Sequence, residues 1–141
     1  MKNSKIIIAD DDIDDRTIIE SAFTALGHQD LLCFAKDGED LMDLLNEKKS
    51  ETGSSIIFLD LNMPRKDGRQ ALQEIKNNPD LKKIPVIVFT TSKSRADIEF
   101  TYEIGANCYI TKPNTFPTLI QTLKKVMDFW LETATLPKTI A

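Results

Sequence analysis

Four short apolar runs set the terms for this chain: Ile6-Ile7-Ile8-Ala9, Ile56-Ile57-Phe58-Leu59, Val86-Ile87-Val88-Phe89 and Cys108-Tyr109-Ile110. Each runs into polar groups, respectively Asp10-Asp11-Asp12, Asp60, Thr90 and Thr111-Lys112-Pro113. Short continuous apolar runs suit strands buried on both faces, as in a parallel sheet. Ligands of such sheets gather outside the carboxyl ends of the strands. The acids, the hydroxyl and the lysine are therefore expected at one edge.

Helical patterns alternate with the runs. Ile18, Ile19, Ala22, Phe23 and Leu26 recur at helical spacing before Gly27. Leu31 to Ala35 reads as a second strand, Asp37-Gly38 as a turn, and Leu41, Leu44 and Leu45 as the stripe of a second helix. Glu47 to Ser55 is polar and reads as an exposed, mobile connection. A third helix carries Ala71, Leu72 and Ile75 and ends at Asn77-Asn78-Pro79, and Pro85 opens the next strand. A short helix is predicted over Ala96 to Ile104, stopped by Gly105. Phe116, Leu119, Ile120, Leu123, Val126, Met127, Trp130 and Leu131 mark a last amphipathic helix. Five strands and five helices in alternation imply an α/β sandwich with right-handed crossovers and helices on both faces of the sheet.

The length of 141 residues predicts one domain over 1–141, with a core from about Lys5 to Leu131, a tail over 132–141 and no separate effector domain. Net charge is -4 and pI about 5.0. There is thus no basic surplus for nucleic-acid phosphates and no polybasic stretch for a membrane surface. No apolar run approaches the roughly 20 residues of a membrane helix, and Met1-Lys2-Asn3-Ser4 leads straight into the first strand, so a cytoplasmic location is expected. Cys33 and Cys108 sit in apolar stretches without a C-x-x-C pattern and are expected to be buried, reduced thiols.

Carboxylates crowded at one place repel, and a divalent cation is the economical compensation. Mg²⁺ takes oxygen ligands, commonly one or two carboxylates, waters and a phosphate oxygen. Asp11 and Asp60 are the candidate carboxylates, with Asp10 orienting a bound water. Asp60 is also a candidate nucleophile for phosphorus. Lys112 would neutralise the developing charge, and Thr90 would donate to the new phosphoryl oxygens. Taken singly, each residue has an ordinary structural alternative: Asp12 or Asp14 as the cap of the first helix, Thr90 as a turn hydroxyl, Lys112 as a solvated cation. Four strand ends presenting compatible groups together point to phosphoryl chemistry.

That set resembles the receiver domain of two-component response regulators, over residues from about Lys5 to Leu131. Asp10-Asp11 correspond to the acidic pair of the family, and Asp60 to its phosphorylated aspartate in Asp60-Leu61-Asn62-Met63-Pro64 with Gly68 following. Thr90 corresponds to the switch hydroxyl and Lys112-Pro113 to the lysine-proline pair. The resemblance implies a flavodoxin-like fold with strand order 2-1-3-4-5 and a Mg²⁺ or Mn²⁺ ion held by Asp11, Asp60 and the backbone carbonyl of Asn62, with Asp10 acting through water. It implies a phosphoryl donor that is a sensor histidine kinase or phosphotransfer protein, and an aromatic switch at Tyr109. Asn62 and Ser92 are expected to tune the lifetime of the acyl phosphate. Phosphorylation adds roughly -1.5 to -2 charge. Movement of Thr90 toward it would open space for Tyr109, altering the surface of the fourth helix, fifth strand and fifth helix.

Output is then expected through a protein partner or self-association. Phe129 lies off the stripe of the last helix beside Trp130, so it either anchors a homodimer or covers its own core beneath the tail. The endings Phe129-Trp130-Leu131 and Leu136-Pro137, with the Asn62 to Gly68 segment, are similar to small receivers paired with phytochrome-type histidine kinases. A phosphatase of the haloacid dehalogenase type shares the strand-end Asp and Mg²⁺, but it resembles D-x-D, where this chain has Asn62. No general base is positioned to hydrolyse the intermediate quickly, so no enzyme activity is expected beyond self-phosphorylation and slow autodephosphorylation. A degenerate scaffold is the other competing class, and the intact set of five residues argues against it. Nucleotide-binding glycine motifs are absent.

Overall fold

Successive side chains of a strand point to opposite faces, so an unbroken apolar run needs cover on both. The computed structural model, which describes residues 5–48 and 54–137, supplies that cover with two helical layers. In chain order the elements are β1 (Lys5–Ala9), α1 (Ile13–Ala25), β2 (Leu32–Ala35), α2 (Gly38–Lys48), β3 (Ser55–Leu59), α3 (Gly68–Asn77), β4 (Val86–Thr90), α4 (Arg95–Ile104), β5 (Cys108–Thr111) and α5 (Phe116–Met127). The strands are parallel in the order β2-β1-β3-β4-β5, as expected.

The isoleucines of β1 show how the core divides. Ile7 joins Ile57, Leu59, Val86 and Val88 on the face covered by α2 and α3. Ile6 and Ile8 join Ile56, Phe58, Ile87 and Phe89 against α1 and α5. There Phe58 stands edge-on between Phe23 and Phe89, with ring centroids 5.7 Å apart in both pairs. Rings in this arrangement place a positive edge on a negative face, which adds to the stabilisation from burial.

Boundaries differ from the sequence reading in ways that trace to local chemistry. Asp12, not Asp14, caps α1 by accepting from the N–H groups of Asp14 and Asp15, so the helix starts well before Ile18. Leu31 belongs to a 3₁₀ turn, Gln29–Leu31, and β2 starts one residue later. Ser94 caps α4, which begins at Arg95. The last helix gives way after Met127 to a π-helical turn, Asp128–Thr133. Ile18 and Phe116, taken from periodicity as core, are exposed because they lie at the open rim between α1 and α5. Cys33 and Cys108 are free thiols but only half-buried. Of the connection Glu47 to Ser55, residues 49–53 lie outside the described residues. The tail folds back: Leu136 packs on the α1/α5 side of the core, and the Ser54 hydroxyl donates to the Pro137 carbonyl at 2.9 Å.

Two glycines set the path of the loop after β3. A Cβ on Gly68 would collide with the Asp60 carbonyl oxygen, and one on Gly38 with the carbonyl of Lys66. The Gly68 N–H donates to Leu61 at 2.8 Å and the Gly38 N–H to Lys66 at 3.0 Å. Asp37, read from sequence as a turn former, is buried. It caps α2 through the Asp40 N–H and accepts from Arg65, whose backbone is left-handed at φ 63. Burial works to raise the Asp37 carboxyl, but the Asp40 N–H and the Arg65 guanidinium outweigh it and hold it below the ordinary carboxylate value.

The loop after β4 is tied down differently. Arg69 at the start of α3 makes a fork with Asp97 in the first turn of α4, at 2.8 Å to each oxygen. The Ser92 hydroxyl donates to the same Asp97 at 2.7 Å. The Arg69 bonds hold the Asp97 carboxyl below its usual range against the opposing effect of burial.

Two outcomes follow from these contacts. Gly68→Ala should lower stability by about 1–3 kcal/mol, because the added methyl meets backbone rather than a flexible side chain. A urea midpoint equal to that of wild type would contradict this. The depressed Asp97 pKa stabilises the fold fully above the unfolded value of about 3.9, and that contribution is lost as pH falls through the lower folded value. The urea midpoints of wild type and Asp97→Asn should therefore differ most near neutrality and converge in acid. A gap independent of pH would refute the ion pair.

Candidate functional site

Register builds the site. Ala9 pairs with Leu59 across β1 and β3, so Asp10 and Asp60 leave the sheet side by side. The ladder continues past them, with the Asp10 N–H donating to Ala35 and the Asp60 N–H to Ala9, both at 3.0 Å. Thr90 pairs with Thr111 at the ends of β4 and β5, which puts Lys112 just beyond, its own N–H donating to the Thr90 carbonyl at 2.8 Å. The sheet edge thus gathers Asp10, Asp11, Asp60, Thr90 and Lys112.

The Lys112 ammonium is the hub. Its Nζ donates to Asp10 Oδ2 at 2.7 Å, Asp15 Oδ2 at 2.8 Å and Asp60 Oδ2 at 3.1 Å. Burial works against the charged ammonium, but the bonds to Asp10 and Asp15 and the attraction of Asp60 prevail and raise its pKa well above that of an ordinary lysine. Asp10 is buried, and that burial pushes its carboxyl up against the opposing pull of Lys112 and the Asp12 N–H. Its two oxygens are both engaged, Oδ2 by Lys112 and Oδ1 by the Asp12 N–H at 2.9 Å.

Asp10, Asp11 and Asp60 each offer a carboxylate oxygen within 4.8 Å of the others. Asp11 is exposed while Asp10 and Asp60 are buried, so the cluster opens to solvent on one side. Hard oxygen donors of this kind fit Mg²⁺ or Mn²⁺ rather than softer metals. Since Lys112 and the Asp12 N–H already occupy Asp10, the open donors are those of Asp11 and the second oxygen of Asp60. Asn62 is exposed in the loop that follows.

Thr90 is fully buried, and its Oγ1 accepts weakly from the Ser92 N–H at 3.4 Å. Tyr109 is half-buried, and its hydroxyl donates to the Ser92 carbonyl at 2.9 Å, while the Tyr102 hydroxyl accepts from the Tyr109 N–H at 3.2 Å. Ser92 lies two residues beyond Thr90, in the segment that leads into α4. Its hydroxyl is committed to Asp97 and also accepts from the Ser94 N–H, because a short side chain two residues before Ser94 falls inside the α4 cap. Phe129 is exposed and edge-on to a half-buried Trp130 at the far end of the molecule.

Sequence reasoning missed Asp15, Arg16 and the Arg69–Asp97 pair. Arg16 Nη1 donates to the Asp10 carbonyl at 2.7 Å and so braces the β1–α1 turn. A signal for Asp15 was present: it stands three and four residues before Ile18 and Ile19, on the helix stripe that leads toward the sheet. Ser94-x-x-Asp97 likewise has the spacing of a helix cap. No spacing rule connects Asp97 to Arg69, which lies 28 residues away.

The chain matches the family model of the response regulator receiver domain over residues 6–124. It is 40% identical over 135 residues to the response regulator Rcp1 of Synechocystis sp., covering 94% of this chain and 91% of that protein. The crystal structure of the phosphorylated cyanobacterial phytochrome response regulator RcpA is 40% identical with a TM-score of 0.84, covering 94% of this chain and 97% of that one. The Mn²⁺-bound form of Rcp1 is 38% identical with a TM-score of 0.80, covering 94% and 99%. These matches run through all five strands and the acidic edge, and the chain belongs to the response regulator receiver domain family.

Proposed function

We propose that this chain acts as a single-domain response regulator, one receiver over 1–141, in which Asp60 accepts a phosphoryl group from the phosphohistidine of a sensor histidine kinase or phosphotransfer protein. Receiver domains are phosphoacceptor signalling domains that bind a divalent metal and pair with such donors. The observation that carries the assignment to Asp60 is the convergence on it of Asp10, Asp11 and a lysine ammonium 3.1 Å from its carboxylate.

A carboxylate oxygen of Asp60 forms the bond to phosphorus as the P–N bond of phosphohistidine breaks. The electron pair of that bond goes to the imidazole nitrogen, which is protonated by solvent. Lys112 donates to the phosphoryl oxygens as charge gathers on them, and Thr90 offers a hydroxyl from β4. Mg²⁺ or Mn²⁺ held by Asp11, Asp60 and the Asn62 carbonyl, with Asp10 behind a water, would supply the remaining positive charge.

Turning of Thr90 toward the phosphoryl group disturbs the Ser92 segment, to which Tyr109 is hydrogen-bonded, and so reaches the α4-β5-α5 surface. Asn62 at the exposed rim tunes the slow loss of phosphate, whereas Ser92 acts through Asp97. The phytochrome association in the name of RcpA supports a light-sensing histidine kinase as donor. The exposed Phe129 beside Trp130 supports a homodimer through the last helix, and the absence of a helix able to cross a membrane among the described residues accords with action in the cytoplasm.

Intact-mass spectrometry after incubation with acetyl phosphate and Mg²⁺ should show one phosphoryl adduct on wild type and none on Asp60→Asn or without metal. The Tyr109 ring resonances should shift in the adduct, and Asn62→Ala should change its decay. No adduct together with released phosphate would mean a phosphatase, and neither adduct nor phosphate a scaffold. Sedimentation velocity over a concentration series should show a dimer that Phe129→Asp weakens; monomer alone in both phosphorylation states would exclude dimerisation.

A further inference from the structure

The first turn of α1 brings the site one more carboxylate than the metal cluster uses. Asp15 Oδ2 accepts from Lys112 Nζ at 2.8 Å, yet Asp15 lies outside the Asp10, Asp11 and Asp60 group. An ammonium has three N–H donors and no more. Asp10, Asp15 and Asp60 take all of them, and the bonds to Asp10 and Asp15, at 2.7 and 2.8 Å, are shorter than the 3.1 Å bond to Asp60. The lysine is thus drawn toward the β1–α1 side, away from Asp60.

Of the two residues that draw it, Asp10 is fixed, being buried and held also by the Asp12 N–H. Asp15 is the adjustable one, with 38% of its side chain exposed to solvent. We propose that Asp15 is a positioning residue that holds Lys112 back from the phosphoryl group and so limits how strongly the lysine assists transfer to Asp60. This role rests on Asp60 being the phosphoacceptor.

With acetyl phosphate as donor, a carboxylate oxygen of Asp60 bonds to phosphorus while the bridging P–O bond breaks and its electron pair leaves with acetate. Charge then spreads over the three remaining phosphoryl oxygens, and Lys112 must point a donor at them. The bond from the ammonium to Asp15 carries the Coulomb attraction of opposite charges in addition to the hydrogen bond itself. Asp15→Asn preserves the shape and an acceptor oxygen but removes the charge. The ammonium is then freer to follow the phosphoryl group, and less of its charge is offset.

The experiment follows adduct formation with acetyl phosphate at saturating Mg²⁺, by intact mass, for wild type, Asp15→Asn, Asp15→Glu and Asp14→Asn. The ¹H–¹⁵N resonance of the Lys112 ammonium is recorded for each in the unphosphorylated state. Asp15→Asn should react about threefold to fivefold faster, the scale of a partly exposed ion pair. Its Lys112 resonance should move, and Asp15→Glu should restore both readouts. Asp14→Asn removes the same charge from the same turn at an exposed residue and should leave the rate unchanged. A wild type that forms adduct with an Asp15→Asn no faster than Asp14→Asn, or slower than wild type, overturns the role of Asp15 alone. A wild type without adduct overturns the assignment of Asp60 and the role of Asp15 with it.

Discussion

A single ammonium makes the rest of this sheet edge feasible. Asp10 and Asp60 leave adjacent parallel strands at the same level and are both buried, so without a cation their ionised forms would repel in a poorly solvated place. Lys112 arrives from the far end of the sheet, two strands beyond β3, and bonds both of them and Asp15. Buried charge partners of this kind are costly to break, about 3–5 kcal/mol when one member is removed. Three carboxylates nonetheless share that one ammonium and the exposed Asp11 stands beside Asp10 and Asp60, so the edge remains electron-rich and open on one side. Such a surplus of hard oxygen donors fits a divalent cation. The parallel topology is what the arrangement requires, since it alone sends the C-termini of β1, β3, β4 and β5 to one edge.

How much of this was legible in the sequence depended on whether the cause was local. The runs Ile6 to Ala9, Ile56 to Leu59 and Val86 to Phe89 declared doubly buried strands, and the helical patterns between them declared a parallel sheet, while the strand order came from the resemblance to receiver domains. Asp10, Asp11, Asp60, Thr90 and Lys112 were legible because each ends a strand or follows one within two residues, so the fold itself fixes where they go. Helix starts were less visible: Asp12 and Ser94 act through side-chain bonds to backbone N–H groups, which extend α1 and α4 beyond their apolar stripes. Ile18 and Phe116 carried the right period but lie where the two helices part at the rim. The Arg69–Asp97 fork was missed because it depends on α3 and α4 meeting at their N-termini, a tertiary fact with no sequence period.

The core constrains how an event at Asp60 can be felt elsewhere. Both faces of the sheet are packed with fully buried side chains, among them Ile7, Ile57 and Leu59 on one side and Ile6, Ile56 and Phe23 on the other. Interiors at this density do not deform smoothly. Displacement therefore has to run along the rim, through the segments that follow the strands. The rim after β3 is closed by backbone contacts, with Gly68 against Asp60 and Gly38 against Lys66, and by the Arg65–Asp37 bond. The rim after β4 is closed instead by side chains: Arg69 holds Asp97, Asp97 holds the Ser92 hydroxyl, and the Ser92 carbonyl holds Tyr109. Side-chain bonds at a partly exposed surface exchange at far lower cost than backbone in van der Waals contact. The two loops nearest Asp60 thus differ in kind. The one after β3 holds Asp60 in place through backbone contacts, whereas the one after β4 is held by exchangeable side-chain bonds, so under the proposed function it is the segment through which a change at Asp60 would reach α4 and β5.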